Sequence, residues 1–161
     1  RELTTPVRAN SVFGTSASDV WVVGDEGLVM HFDGTSWNTV QFNSIGQQDL
    51  DAVWASGPND VWMVGALGTL LHSNGGAPQV VMSGTEKSLT GLWGSAANDV
   101  WAVGQGGALL HFNGSAWASY PSGLTSDLAR IWGRGANDFW ISETIPMANK
   151  IPELFRYYYS P

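Results

Sequence analysis

GLWGSAANDVWAVG, at residues 91–104, is one of four versions of the same segment in this chain. The other versions are SVFGTSASDVWVVG at 11–24, AVWASGPNDVWMVG at 52–65 and RIWGRGANDFWISE at 130–143. A tryptophan near the end of each version recurs at intervals of 41, 39 and 39 residues, at Trp21, Trp62, Trp101 and Trp140. Such a regular interval indicates a repeat protein, in which each unit is one small module of secondary structure.

Each unit has the pattern of four short β-strands joined by tight turns. An apolar opening such as Gly91-Leu92-Trp93 is followed by a polar turn and then by Asp-Val-Trp-x-Val-Gly, which is rich in β-branched and aromatic residues. A Gly-x-x-Gly turn and an Asp-Gly or Asn-Gly turn come next, and both suit hairpins. We therefore predict an all-β chain, a β-propeller of about four four-stranded antiparallel blades of 39–41 residues.

The blades are placed at approximately 8–42, 50–83, 89–122 and 128–161 of a single domain, 1–161. The last unit provides only three strands, the third at 153–158, so residues 1–7 could add the missing strand and close the ring, with Pro6 tolerable only at an outer edge. The alternative is an arc of a larger propeller, completed by other sequence or by a second chain. Because the chain begins at Arg1, either a targeting segment has been removed or the chain is a piece of a longer polypeptide.

Composition limits the classes of partner. Only 13% of the residues are charged, and the formal net charge is −7. A basic stripe is absent, so binding to nucleic acid or to an anionic membrane surface lacks its electrostatic driving force. The absence of cysteine excludes disulfides and thiolate sites. No apolar run approaches the roughly 20 residues that would cross a bilayer. We predict no cofactor, no nucleic acid partner and no membrane insertion.

An aspartate precedes the second strand of every unit, at Asp19, Asp60, Asp99 and Asp138. Because the same acid recurs in every unit, we interpret it as structural, bonding the backbone amides of its own turn, and not as catalytic or metal-binding. A histidine recurs in the third strand, at His31, His72 and His111, with Arg156 at that place in the last unit. Equivalent points of separate blades are too far apart to share a zinc ion, so no metal site is predicted.

Two series of aromatic residues are predicted to pack between neighbouring blades. Each buried ring would remove roughly 150–250 Å² from water. The first series is Phe13, Trp54, Trp93 and Trp132, and the second is Trp21, Trp62, Trp101 and Trp140.

The unit Asp-Val-Trp-x-Val-Gly-x-x-Gly-x-x-x-His-Phe-(Asp/Asn)-Gly-x-x-Trp resembles propeller repeats of secreted and surface-anchored bacterial proteins. It is similar to the repeats of photosystem II assembly-factor-like proteins, and more loosely to the Asp-box repeats of bacterial neuraminidases. The stretch from His31 to Trp37 looks like a shortened Asp-box. The resemblance covers nearly the whole chain except residues 144–152 and the final tail. It implies the fold far more than the function, since such propellers serve as lectins, adhesins, scaffolds and enzymes.

Candidate ligand-binding residues lie at two Asp-Gly or Asn-Gly turns, namely Asp33 with Trp37 and Asn113 with Trp117. A carboxylate or amide beside an aromatic face suits the hydroxyls and the apolar face of a sugar. Ordinary hairpin chemistry is the alternative, because such turns need the same residues without any ligand.

Candidate partner-binding residues lie in the irregular last unit. There residues 143–152 replace a short turn with a longer loop, and Arg156, Tyr157, Tyr158 and Tyr159 follow. Tyr and Arg are favoured contact residues, although a plain end cap of the array is the alternative. Binding could also involve the turns at Asp25-Glu26, Ala66-Leu67 and Gln105-Gly106, which differ between units, because loops on a rigid scaffold often carry function.

From these features we predict a non-catalytic, extracellular or cell-surface module that recognises a glycan or a protein surface. The alternative is a structural or assembly subunit, or a fragment of a larger multi-repeat surface protein, with self-association. An enzyme is not expected. The neuraminidase resemblance implies several clustered arginines with a Tyr–Glu pair, whereas the arginines here are Arg1, Arg8, Arg130, Arg134 and Arg156. No Ser-His-Asp motif or phosphate-binding glycine loop is present either.

Overall fold

A computed structural model describes residues 7–42, 47–144 and 153–157, with Tyr157 described by its backbone alone. These residues form four antiparallel sheets. The first contains β1 (Ala9–Ser16), β2 (Asp19–Gly24), β3 (Val29–Phe32) and β4 (Trp37–Thr39); the second β5 (Leu50–Gly57), β6 (Asp60–Gly65), β7 (Leu70–Ser73) and β8 (Gln79–Val80); the third β9 (Leu89–Ala96), β10 (Asp99–Gly104), β11 (Leu109–Phe112) and β12 (Trp117–Ser119); the fourth β13 (Leu128–Gly135), β14 (Asp138–Glu143) and β15 (Leu154–Tyr157).

In every sheet the spatial order of the strands follows the chain, and the register repeats. The two aromatic positions of each unit pair across the first two strands: Phe13 with Trp21, Trp54 with Trp62, Trp93 with Trp101 and Trp132 with Trp140. The predicted antiparallel blades are thereby confirmed. The proposed closing strand at residues 1–7 lies, apart from Val7, outside the described residues.

Short 3-10 turns join the second and third strands of the first three blades, at Asp25–Gly27, Ala66–Gly68 and Gln105–Gly107. The middle residue of each turn has a left-handed backbone, with φ of 54° at Glu26, 53° at Leu67 and 56° at Gly106. Its amide donates a hydrogen bond to a side chain of the segment that leads into the next blade. The acceptors are Asp49 Oδ1 at 2.9 Å, Ser88 Oγ at 3.3 Å and Asp127 Oδ1 at 2.7 Å, respectively.

The core lies between the faces of adjacent sheets. One cluster joins the first two blades, a second joins the middle two and a third joins the last two. In the inner strands a tryptophan of one blade lies against a glycine of the next. A Cβ at Gly94 would come within 2.6 Å of the Trp54 ring, and a Cβ at Gly133 within 2.5 Å of the Trp93 ring. The prediction of inter-blade packing is therefore confirmed for Trp54 and Trp93, and for the buried rings of Trp21, Trp62 and Trp101.

The packing prediction is wrong for Trp132, whose surface is 61% exposed. Its partner across the sheet, Trp140, is half-buried. The reason is that inner strands pack only in chain order, β1 on β5, β5 on β9 and β9 on β13; no extensive packing joins β1 to β13 within the described ranges. Within the described ranges the blades form an arc, and Trp132 lies on the exposed outward face of the last blade.

None of the helical turns in the described ranges is long and apolar enough to cross a membrane.

Candidate functional site

The recurring aspartates and histidines form one repeated arrangement across each hairpin. In the first blade Asp19 Oδ1 lies 2.6 Å from His31 Nε2, and it accepts a hydrogen bond from Trp21 Nε1 at 3.2 Å. The His31 ring stacks on Trp21 with centroids 4.2 Å apart, and the hydroxyl of Thr15 donates to the other carboxylate oxygen of Asp19. The arrangement fixes the second strand against the third.

The other blades repeat the pairing of the aspartate with a basic side chain on the third strand, although Trp62 Nε1 in the second blade, unlike Trp21 Nε1 and Trp101 Nε1, makes no hydrogen bond to any described residue. His72 and His111 each lie 2.7 Å from their aspartates, Asp60 and Asp99, and stack on their tryptophans at 4.0 Å. In the last blade Arg156 replaces histidine: its Nε and Nη2 both donate to the Asp138 carboxylate at 2.8 Å, and its Cζ lies 5.4 Å from the Trp140 ring centroid. These contacts give each acid a structural role between the strands of its own blade.

The predicted partners of the aspartates were wrong, however. We expected backbone amides of the turn, but the carboxylates bond the side chains of the neighbouring strands. The physical reason is the pleat. Asp19 and Trp21 are two residues apart on the second strand and so face the same side of the sheet, as does His31, which is paired with Trp21 on the third strand. Within residues 7–42, 47–144 and 153–157, no group of three or more His, Asp or Glu side chains is arranged to hold a metal ion.

Acid should weaken the first blade through Asp19. Burial alone would raise the pKa of this carboxyl, but the hydrogen bonds from Thr15, His31 and Trp21 outweigh it and hold the pKa below its ordinary value. Because the unfolded chain then binds more protons, the stabilisation is present above the ordinary Asp pKa of about 4 and is lost as pH falls through the folded pKa. Urea unfolding from neutral pH downward should show a smaller acid-induced loss of stability for Asp19→Asn than for the wild type. An equal loss in both would contradict this assignment.

The predicted ligand-binding residues are largely engaged within their own hairpins. Asp33 Oδ1 accepts from the amides of Thr35 and Ser36, both at 2.9 Å, and its pKa is held below the ordinary value chiefly by these backbone hydrogen bonds. Asn113 Oδ1 accepts from the two corresponding amides at 3.0 and 3.1 Å. Trp37 is half-buried, with its ring 5.4 Å from Phe32.

Trp117 belongs to the interface between the second and third blades. Its ring meets Trp62 edge-on with centroids 5.3 Å apart. A sugar at Asp33, Trp37, Asn113 or Trp117 stays a prediction. The first two residues lie in the first blade and the last two in the third.

The predicted partner-binding residues are described only in part. The guanidinium of Arg156 bonds Asp138, and the backbone of Tyr157, in β15, pairs with Phe139 of β14. Tyr158 and Tyr159 lie outside the described residues, as does the loop at 145–152. A partner surface formed by Arg156, Tyr157, Tyr158 and Tyr159 therefore stays a prediction.

The structure contains a larger candidate site that sequence reasoning did not identify. A groove of about 730 Å³ opens at the end of the second blade, beside the 3-10 turn at Ala66–Gly68. Large apolar side chains around it are exposed: Leu67 by 66%, Val80 by 57% and Met82 by 87%. Gln48 and Glu86 lie on its lining as polar residues. We call it the blade-2 groove.

The blade-2 groove is open because smaller side chains stand where bulky ones stand in the third blade. The amides of Val81 and Tyr120 occupy equivalent positions, donating to Leu70 O at 2.9 Å and to Leu109 O at 2.8 Å. Tyr120 packs edge-on against Trp101, at 5.2 Å between centroids. Likewise Thr85 stands where the third blade has Leu124, a half-buried residue that packs against its core. The corresponding space in the third blade measures only about 330 Å³.

The first blade fills its corresponding space in another way. There Phe42 packs on the core, near the 3-10 turn at Asp25–Gly27, and about 210 Å³ remains. A signal for the difference was present in the sequence. The segment after His72 lacks the closing tryptophan of the first and third units, and the turn of this unit carries Leu67 where those units have Glu26 and Gly106.

No protein-family model matches the sequence, and the sequence matches no curated protein. Solved structures do match. YCF48 from Cyanidioschyzon merolae superposes with a TM-score of 0.71 at 14% identity over 98% of this chain and 53% of that one. YCF48 bound to a D1 peptide gives 0.64 at 19% identity, over 96% and 55%. An ancestral GH74 enzyme gives 0.70 at 19% identity, over 94% and 23%.

The chain therefore spans about half the length of the YCF48 structures and a smaller part of the enzyme. At such identities the likeness establishes the fold and no more. The repeated sheets, their shared register and these superpositions lead to one conclusion: the chain is an arc of four β-propeller blades.

Proposed function

We propose that the chain is a non-catalytic binding module whose blade-2 groove receives an extended, mainly apolar segment of a partner protein. The observation that carries the proposal is the exposed apolar rim of Leu67, Val80 and Met82 around the groove. Soluble proteins seldom expose several large apolar side chains together unless something binds there. The partner's apolar side chains would enter where Val81 and Thr85 leave space.

The backbone of Leu67 supports this proposal. A left-handed conformation costs a residue with a Cβ roughly 1–2 kcal/mol, and it is rare for a bulky apolar one. The same position holds Gly106 in the third blade, where the conformation is free of that cost. A leucine that is both strained and 66% exposed contributes little to the core. Strain of this kind concentrates at binding sites.

Charge indicates what should flank the apolar segment. The chain has a net charge of −7, and Glu86 is exposed on the lining of the groove. Basic residues beside the apolar segment would be attracted to this surface, which would raise the association rate. A propeller of the same fold, YCF48, has been solved with a D1 peptide bound, and this supports a peptide segment as the class of ligand. An extracellular or cell-surface location remains our expectation.

Selection from a phage-displayed library of random peptides on the immobilised chain tests the proposal. We expect enriched peptides with apolar side chains and flanking Lys or Arg. Met82→Asp should weaken binding of a selected peptide by about tenfold or more, because a carboxylate would replace an apolar contact. The double variant Val81→Tyr with Thr85→Leu should abolish binding, because it gives the groove the filling side chains of the third blade. Fluorescence anisotropy of the labelled peptide measures both.

Ala118→Asp is the matched control, because Ala118 lies exposed on the outer strand of the third blade, away from the groove. It should leave peptide binding unchanged. Peptides that bind Met82→Asp as well as the wild type would contradict the groove as the site. A glycan array supplies the remaining comparison. Sugar binding that is lost in Trp37→Ala, with no peptide selected, would favour the glycan prediction instead.

A further inference from the structure

The two ends of the arc expose complementary halves of an interface that the chain makes internally. On the last blade Trp132 and Leu154 are each 61% exposed. Their equivalents within the arc, Trp93 and Leu109, are buried against the next blade. On the first blade Val12 is 64% exposed, whereas the equivalent Val53 is buried.

Inside the arc, the facing residues of this interface match in size. Gly94 and Gly133 each receive the ring of a tryptophan on the preceding blade, Trp54 and Trp93 respectively. Where the preceding blade has the smaller Phe13, the facing position is Ala55, and Phe13 packs on the cluster that contains it. A glycine at this position thus accompanies a tryptophan, and an alanine accompanies a phenylalanine.

Gly14 is the equivalent position on the first blade, and it is exposed, whereas Gly133 is buried. The three atoms nearest to a Cβ at Gly14 belong to Val20, Asp19 and Ser16 of its own blade, whereas the nearest atoms at Gly94 and Gly133 belong to a tryptophan ring of the preceding blade. Within the described part of the arc, no tryptophan packs on Gly14 as Trp54 packs on Gly94, and Trp132 packs on no glycine of a following blade. The two lie on opposite ends of the same arc.

We infer that a second copy of this chain completes the ring, with Trp132 of each copy seated on Gly14 of the other. The arc superposes on 53% of a YCF48 chain, so it matches about half of such a propeller, and two arcs together would supply eight blades, within the typical range of about four to eight. A head-to-tail contact closes when its rotation returns to the start, and two half-rings related by a two-fold axis meet that condition. The contact would continue the inter-blade packing of the arc.

Sedimentation equilibrium of the 161-residue chain tests the inference. We expect a species of twice the 17.3 kDa monomer mass at micromolar concentration. Trp132→Ser should raise the dissociation constant at least about 30-fold, as the loss of a buried aromatic anchor does. The substitution should not unfold the chain, since Trp132 is exposed within the arc. Gly14→Ala should weaken the dimer as well, because the new methyl group would stand where the ring must lie.

Two further samples decide how the faces meet. Trp132→Phe combined with Gly14→Ala copies the Phe13 and Ala55 pair and should restore the dimer. A mixture of the Trp132→Ser and Gly14→Ala chains should associate more than either alone, since one intact contact forms between them. Met82→Asp, in the blade-2 groove, should leave the dimer unchanged and so separates this inference from the proposed function.

The inference is overturned by a wild-type chain that stays monomeric, or by a dimer indifferent to Trp132→Ser. A dimer that is lost in Trp132→Ser but unaffected by Gly14→Ala would indicate a different contact, such as Trp132 of one chain packed against Trp132 of the other, and would overturn the inference. Mass that keeps increasing with concentration would mean open polymers and would overturn the closed pair.

Discussion

Trp101→Ala should lower the free energy of unfolding by about 3–5 kcal/mol, the range for large aromatic residues truncated in a core. The Trp101 ring has no exposed surface. It stacks on His111 at 4.0 Å within its blade, and it meets Phe139 of the next blade at 4.8 Å between centroids. Its Nε1 also donates to Asp99, so truncation removes contacts within the blade and between blades. Urea unfolding followed by far-UV circular dichroism measures the change.

Trp132→Ala is the matched control, because the same atoms are removed from a ring that is 61% exposed. Measured at concentrations where the chain is monomeric, it should cost less than about 1 kcal/mol. A loss below about 1 kcal/mol for Trp101→Ala as well would show that neither ring is in a core.

Gly107→Ala should destabilise by about 3 kcal/mol although it adds only one methyl group. Gly107 has φ of 71°, in the left-handed region that penalises any Cβ. A Cβ there would also lie 1.9 Å from the carbonyl oxygen of Leu124, a backbone atom that cannot rotate away. The turn would have to move away from the segment that leads to the next blade. Thermal and urea unfolding both report this loss.

Gly57→Ala controls for the general effect of replacing glycine. A Cβ at Gly57 would meet nothing within 4 Å, and its φ is outside the left-handed region. We expect no loss, or a gain of up to about 1 kcal/mol from the less flexible unfolded chain. If both substitutions had the same effect, the close approach at Gly107 could not be the cause.

The blades were predictable because their determinants are local. Alternation of apolar residues, the Asp-Gly and Asn-Gly turns and a period near 40 residues act within one unit and recur in the next. The same regularity identified Trp21, Trp62 and Trp101 as core residues. The exposure of Trp132 was not predictable in this way, because it depends on what covers the last blade and not on the unit that contains it.

The role of the histidines was harder to predict than their position. His31 and Asp19 are 12 residues apart and meet only because the second hairpin pairs Trp21 with His31. One signal was available. Every unit with this aspartate also has a basic residue at the paired position, including Arg156 in the last unit. A pair that changes from His to Arg while the acid stays indicates a charge or hydrogen-bond contact.

The blade-2 groove could not be predicted from motifs, because it results from the absence of two bulky side chains and not from the presence of a recurring pattern. Val81 and Thr85 match no binding pattern; they matter only because the third blade has Tyr120 and Leu124 at those places. A comparison of units by side-chain volume, instead of by shared letters, would have detected the difference. The candidate ligand residues, by contrast, were chosen because they recur in several units. Residues that recur in this way mostly serve the hairpin turn itself, as the backbone hydrogen bonds of Asp33 and Asn113 show.

The size difference at Val81 and Thr85 has a consequence for how such an array can diversify. Since the surrounding backbone is common to the second and third blades, recognition can be moved from one module to another by exchanging a few side chains, without a new loop or a new fold. Each blade can then offer its own binding groove on the same backbone. A lineage of these arrays could change its ligands module by module while the hydrogen-bonded scaffold, and the order of its parts, stayed the same.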